Sequence, residues 1–164
     1  MIDKDGYRSG VGIILVNENR QVFFAKRLGM QAWQFPQGGL HENESPKQAM
    51  LRELTEEIGL HPQDVKIMAE THDWLKYRLP KRLIRHYAKP ICIGQKQKWF
   101  LLRLINKQAK IDLLASGDPE FDSWAWVSYW YPLQQVVVFK KGVYTLAMRE
   151  FAPLVLSRRF WEGT

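Results

Sequence analysis

Glu53, Glu56 and Glu57 stand at spacings of i, i+3 and i+4. On an α-helix with about 3.6 residues per turn they project within an arc of roughly 100°, so the three carboxylates share one face. Leu51, Leu54 and Ile58 point roughly 130° away and form the side that packs on the rest of the molecule. Crowded carboxylates repel: a pair about 4 Å apart costs roughly 1 kcal/mol in water and several-fold more near a protein surface. A divalent cation removes that cost, and hard oxygen ligands suit Mg²⁺ or Mn²⁺. A solvated acidic helix face accommodates the same residues with no ligand, and E-x-x-E-E alone does not decide between the two.

The elements that hold these side chains are legible around them. Ser45 suits an N-cap, Pro46 the first helical position, Gln48 completes a capping box and Gly59 fits the end, which predicts a helix from about Pro46 to Ile58. Arg52 lies beside the glutamates and is expected to pair with Glu44 or another carboxylate and fix the preceding loop. Upstream, the apolar run Val11 to Val16, the turn residues Asn17 to Arg20 and the resumed pattern Gln21 to Ala25 predict a hairpin. Trp33-Gln34-Phe35 reads as a short strand, stopped by Pro36 and the Gly38-Gly39 pair. Further strands are expected at Val65 to Glu70, Leu83 to Ala88, Lys98 to Ile105 and Ser123 to Val127. Val143, Ala147, Phe151, Leu154 and Val155 recur at helical spacing and predict a terminal helix over about 142–157, kinked or shortened by Pro153. Strands alternating with helices argue for an α/β domain, a mixed sheet flanked by helices, spanning 1–164 as a single unit.

Composition bounds the rest. The 164 residues fit one core of ordinary size, and 46% hydrophobic with 13% aromatic residues excludes a disordered chain. No apolar run approaches the roughly 20 residues of a membrane span, the N-terminus lacks a secretory pattern, and a single cysteine, Cys92, cannot form an internal disulfide. These point to a cytoplasmic protein away from membranes, with Cys92 between Ile91 and Ile93 read as a small core hydrophobe. The 24 Lys and Arg exceed the 17 Asp and Glu by seven, which favours a polyanionic partner. Cations cluster at Lys76, Arg78, Lys81, Arg82 and Arg85, at Lys96 and Lys98, and at Lys140 and Lys141, interleaved with aromatic residues that suit bases beside phosphates. His41, His61, His72 and His86 show no metal-ligand spacing.

What decides the acidic helix is the segment before it. Gly38, Glu44, Arg52, Glu53, Glu56, Glu57 and Gly59 fill every fixed position of the pattern G-x5-E-x7-R-E-U-x-E-E-x-G-U, with U apolar. At ordinary residue usage a chance match is on the order of 10⁻⁷. This is the Nudix box, and the chain resembles the Nudix hydrolases. The resemblance implies an αβα sandwich and hydrolysis of a nucleoside diphosphate linked to a further group, with water attacking phosphorus. It also implies divalent metal, Mg²⁺ or Mn²⁺, held by Glu53, Glu56 and Glu57 with a carbonyl from Gly38. Glu120, before the last strand, is the expected further ligand or base, and Arg52 completes the catalytic set.

Outside the box, Asp5-Gly6-Tyr7-Arg8, Trp33 to Gly39, Lys89 to Phe100, Pro119 to Asp122 and Val127 to Pro132 look like the bacterial RNA pyrophosphohydrolases, a branch of that family. Ser9-Gly10 and His86 depart from the pattern locally. The likeness implies removal of pyrophosphate from triphosphorylated RNA 5′ ends, leaving a 5′-monophosphate that promotes mRNA decay. The expected partner is 5′-triphosphorylated RNA, bound by a monomer. It places Arg8 on phosphate and the base next to the 5′ end in a cleft where Arg27 and Phe139 stack, with Val137 and Lys140 nearby. Two other functions stand beside it: a dinucleoside polyphosphate hydrolase, which shares the Gln95 to Trp99 region, and a non-catalytic RNA-binding or nucleotide-sensing module, which would be expected to have lost a box glutamate.

Overall fold

A computed structural model describes residues 1–160, so the last four residues of the expected 1–164 domain lie outside the described part. Its strands are β1 (Tyr7–Val16), β2 (Val22–Arg27), β3 (Trp33–Gln34), β4 (Gln37–Gly39), β5 (Val65–Glu70), β6 (Leu75–Arg78), β7 (Gly94–Leu104) and β8 (Phe121–Val127). The helices are α1 (Pro46–Glu53), α2 (Pro132–Gln135) and α3 (Lys141–Val155). The sheet runs β3-β2-β1-β7-β5, with β4 on β1, β6 on β7 and β8 on β2. Only β1 and β7 pair in parallel, in continuous register from Tyr7↔Gly94 to Val16↔Arg103, so the sheet is mixed as expected.

Side chains on a strand alternate between faces, and β1 shows what that does. Val11, Ile13 and Leu15 face α1, in a core with Ala49, Met50, Leu54, Ile58, Phe100 and Leu102. Ile14 and Val16 face α3, in a second core with Phe24, Phe35, Trp99, Val143, Tyr144, Ala147 and Phe151. Both β1 faces are buried, which is why its sequence is a continuous apolar run rather than an alternation. The result is helix, sheet, helix.

The capping residues act as read. Ser45 Oγ accepts from Gln48 N at 3.1 Å, Gln48 Oε1 accepts from Ser45 N at 2.9 Å, and Gly59 closes the segment at φ +78°. The helix between them is not uniform. It is α-helical to Glu53 and then widens into a π turn over Leu54–Ile58. α3 ends at Val155 and passes through Pro153.

Three expectations are corrected. Leu83 to Ala88 is not a strand: Lys81–Leu83 forms a 3-10 turn and the chain continues as a loop, because the β7 edge that could pair with it is taken by β6. β6 itself, Leu75-Lys76-Tyr77-Arg78, buries alternate residues. Cys92 is not in the core: it is half-buried in the loop before β7, with its Sγ donating to the Gly94 carbonyl at 3.2 Å. The hairpin turn at Asn17 to Arg20 exists, but β1 and β2 pair only at Val16↔Val22 before diverging to other partners. Among the described residues no helix is long and apolar enough to cross a membrane.

Candidate active site

The box segment places a cleft of about 500 Å³ where β4, α1 and the loop before β8 meet, lined by Gly38, Arg52, Glu53, Glu56, Glu57 and Glu120. The widened turn changes which way the glutamates face. The 3.6-residue arithmetic puts all three on one exposed side, yet Glu53 is buried at 7% exposure, Glu57 is half-buried and Glu56 is exposed. A π turn holds one more residue per hydrogen-bonded loop, so angles counted for an α-helix cease to apply from Leu54 onward. Leu54 and Ile58 are fully buried as expected, while Leu51 is only partly covered.

Glu53 reaches its place because Gly38 has no side chain. A Cβ on Gly38 would lie 2.1 Å from Glu53 Oε1, closer than real contacts allow. Gly38→Ala is therefore expected to displace the Glu53 carboxylate and weaken divalent-cation binding by roughly 10–100-fold, the cost typical of losing a group that orients a ligand. Titration of Mn²⁺ by paramagnetic relaxation checks this; unchanged affinity would show that Glu53 is not held by this contact.

Arg52 ties the cleft together. Its Nε and Nη2 donate to Glu44 at 2.8 and 2.9 Å, Nη2 also to the Gly39 carbonyl at 2.8 Å, and Nη1 to Glu53 Oε1 at 2.7 Å and Glu56 Oε2 at 3.4 Å. Glu44 in turn accepts from His41 N at 2.9 Å, and the Arg52 bonds pull its carboxyl down to about 2. This is the loop-fixing pair expected from the sequence. It makes Arg52 a brace between the glycine loop and the acidic helix.

Glu57 is the anomaly. Its Oε2 is buried with no hydrogen-bond partner. Burial first, then the charge of Glu53 and a hydrogen bond shared with it, and after them the charges of Glu120 and Glu56, push its carboxyl up to about 10. An orphaned, buried carboxylate oxygen facing other carboxylates is the donor set of a hard divalent cation, and the residues fit one. Among the described residues no three His, Cys, Asp or Glu side chains already converge as a coordination shell, and Arg52 Nη1 bridges Glu53 and Glu56.

The expected base-binding residues gather in a second place. Arg27, Val137, Phe139 and Lys140 line one apolar cavity of about 500 Å³ with Trp33 and Gln34. Phe139 is half-buried, tilted against Tyr77 with centroids 5.8 Å apart, so it is both wall and core margin. Lys140 is buried, with Nζ donating to Gln34 Oε1 at 3.2 Å, and burial together with the charge of Arg27 lowers its ammonium to about 8. Arg27 Nη2 is 4.0 Å from Glu120 Oε1. Arg8 is not brought to either place: it is exposed and borders a neighbouring cavity with Arg85 and Cys92.

Sequence reading gave no site role to several further lining residues. Gln37, Gln95, Tyr77 and Glu120 border a smaller cavity of about 260 Å³ that shares Arg27, Gln34, Phe139 and Lys140 with the aromatic one, and Gln37 also borders the acidic cleft, as do His41, Ser116 and Asp118. For Gln95, inside the Gln95 to Trp99 region that carried the resemblance, the physical signal was Gln-x-Gln alternation at the start of β7, which places two amides on one strand face.

The sequence model of the NUDIX domain matches residues 6–154. The chain belongs to the Nudix family. A Shewanella loihica protein named RNA pyrophosphohydrolase is 59% identical over 164 residues, covering 100% of this chain and 94% of that one. A Pseudomonas paraeruginosa protein of the same name is 57% identical over 158 residues, 96% of this chain and 99% of that one. Among solved Nudix-type structures, the E. coli dihydroneopterin triphosphate pyrophosphohydrolase superposes with a TM-score of 0.69 at 18% identity, over 88% of this chain and 96% of its own. The C. elegans Ap4A hydrolase complex gives 0.66 at 16%, over 91% and 98%. These low identities establish the αβα Nudix sandwich and nothing finer. Nudix hydrolases are divalent-metal enzymes, and this one carries an intact box.

Proposed function

We propose that this Nudix enzyme removes pyrophosphate from the 5′ end of triphosphorylated RNA and leaves a 5′-monophosphate, in the cytoplasm and as a monomer. The observation that carries it is continuity: the acidic cleft reaches the aromatic cavity through a smaller cavity of about 260 Å³, where Glu120 and Gln37 of the first meet Arg27, Phe139 and Lys140 of the second. A triphosphate chain in the first and a base in the second are therefore neighbours, as a 5′ end requires. The naming of two relatives, 59% and 57% identical over nearly the whole chain, as RNA pyrophosphohydrolases supports the same substrate.

Glu53, Glu56, Glu57 and Glu120, with the Gly38 carbonyl, would hold Mg²⁺ or Mn²⁺. Such an ion supplies charge neutralisation at the phosphates and a more acidic water. The remaining work falls to the chain. Hydrolysis forms a bond from water oxygen to phosphorus and breaks a phosphoanhydride bond, so a proton must leave the water. The carboxylates of the cleft accept it. Arg52 acts as a positioning residue, because its donors are committed to Glu44, Gly39, Glu53 and Glu56. Arg27 and Phe139 stack the base, Val137 and Lys140 flank it, and Arg8 meets phosphate further along the strand.

The reading is tested by competition. Purified protein in Mg²⁺ is given a short 5′-triphosphate RNA and a dinucleoside tetraphosphate at equal concentration, and pyrophosphate, phosphate and nucleotide products are followed. Higher kcat/KM on RNA supports the proposal, a clear win for the dinucleotide overturns it, and no turnover in Mg²⁺ or Mn²⁺ points to a binding module. Phe139→Ala is expected to lower kcat/KM on RNA by roughly 5–150-fold, the value of one lost stacking surface of about 1–3 kcal/mol, and to spare the dinucleotide more. Equal losses would count against the stacking assignment.

A further inference from the structure

Gln97 on β7 is fully buried, where an amide is costly unless its groups are hydrogen-bonded. Its bonds form a one-way chain. The indole Nε1–H of Trp99 donates to Gln97 Oε1 at 3.1 Å, and Gln97 Nε2 donates to Oε1 of Gln95 at 3.1 Å and to Oε1 of Gln37 at 3.4 Å. An indole N–H is only a donor, so it must meet the oxygen of the Gln97 amide, and the Gln97 NH₂ is forced to the other side. That NH₂ can meet only oxygen, so Gln95 and Gln37 turn their oxygens inward. What each amide has left on its outer side is N–H donors, of which Gln37 shares one with the Tyr77 hydroxyl beside the same cavity.

The anchor is rigid. Trp99 is fully buried, Phe35 and Tyr144 rings stand 5.8 and 5.3 Å from it, and a Cβ on Gly12 would lie 2.4 Å from its ring. The two amides it orients border the places where substrate is expected: Gln37 lies on the acidic cleft and on the smaller cavity that joins it to the aromatic one, and Gln95 on that joining cavity and on the neighbouring cavity of Arg8. A free glutamine amide rotates between donor and acceptor presentations of nearly equal energy. Locking one of them removes that ambiguity before the ligand arrives.

We propose that Gln97 is a positioning residue whose Trp99-anchored amide fixes Gln95 and Gln37 as hydrogen-bond donors toward the substrate channel. The channel then favours groups that offer acceptors there: phosphoryl oxygens and the acceptor edge of a base. The inference rests on reading this channel as the nucleotide site, but the chain of donors can be judged apart from it.

The test is a double-mutant cycle of Gln95→Met and Gln97→Met, read as kcat and KM on a short 5′-triphosphate RNA. Each single variant is expected to raise KM by roughly 5–30-fold, the worth of one bond to a charged or strongly polar acceptor, with kcat within about twofold. Because Gln97 acts through its neighbours, the double variant should show a KM no higher than about that of the worse single. Multiplicative losses, or losses confined to kcat, would overturn the proposal. Gln97→Glu is the second variant: a carboxylate keeps the acceptor for Trp99 but has no N–H, so Gln95 and Gln37 reverse and present oxygen to the channel. A folded Gln97→Glu protein with wild-type KM would also overturn it. Hydrogen exchange of the Trp99 indole N–H in the substrate-free wild type is expected to be slow, and exchange as fast as in a denatured chain would refute the anchor. If the wild type turns over neither RNA nor dinucleotide, the substrate reading falls, while the exchange result still decides the donor chain.

Discussion

Glu53→Gln is expected to reduce turnover by at least about 10³-fold while the protein stays folded. The side chain is buried against the Gly38 backbone and accepts from Arg52 Nη1 at 2.7 Å. An amide of the same shape can keep that bond through its oxygen, so packing and the Arg52 brace persist. What goes is one negative charge among Glu56, Glu57 and Glu120. Charge stabilisation of the transition state in such sites is worth several kcal/mol, and each 1.36 kcal/mol is about tenfold in rate. Removing the charge also relieves Glu57, whose carboxyl is disfavoured by Glu53. The metal-free Tm should therefore hold or rise, and the increase produced by Mg²⁺ should shrink. Circular dichroism and scanning calorimetry with and without Mg²⁺ check this. A collapse of the fold would make Glu53 structural, and near-wild-type turnover would remove it from the site.

The second large effect is a pH dependence of stability that reverses the usual carboxylate behaviour. In the absence of metal the Glu57 carboxyl titrates at about 10 in the folded chain, against an ordinary 4.5, because it is buried beside Glu53. Between those values the native state binds more protons than the unfolded one, so stability is full below the ordinary value and falls as pH rises toward the raised one. The slope from this one group approaches at most about 1.4 kcal/mol per pH unit. In chelator, denaturation midpoints should fall from pH 5 to pH 9, and Glu57→Gln should flatten the trend. A divalent cation requires the ionised carboxylate, so its stabilising increment should grow with pH, with proton release visible by calorimetry in buffers of different ionisation enthalpy. A rising profile in chelator, or cation binding without proton release near neutral pH, would contradict the geometry around Glu57.

Much of this was readable in the chain. The acidic helix announced itself through Ser45, Pro46, Gln48 and Gly59, because caps are local chemistry and do not depend on tertiary context. The Arg52–Glu44 pair followed from charge and spacing for the same reason. The burial of Glu53 was not readable, since it depends on a glycine in another element. Leu75 to Arg78 carried a plain alternation but also carried charges that drew attention to a basic surface instead. Leu83 to Ala88 had enough apolar residues for a strand but no free sheet edge, and edges belong to the whole fold rather than to a segment. Gln37, Gln95 and Gln97 lay inside segments that carried the resemblance, but no role could be read for them, because a neutral amide has no charge signature and its importance comes only from which partners fix it.

The ten-residue parallel register between β1 and β7 has a consequence for biosynthesis. Tyr7 and Gly94 are partners, yet they lie roughly 90 positions apart along the chain, the kind of non-local pairing that slows folding. While the ribosome is still making the middle of the protein, β1 exists as an apolar ribbon with its best partner not yet synthesised. A nascent chain stalled before Gly94 would expose Val11, Ile13 and Ile14, all fully buried in the finished fold, and it would present an unpaired strand to any neighbour. Premature termination upstream of β7 should therefore yield aggregates or chaperone clients instead of a smaller working enzyme.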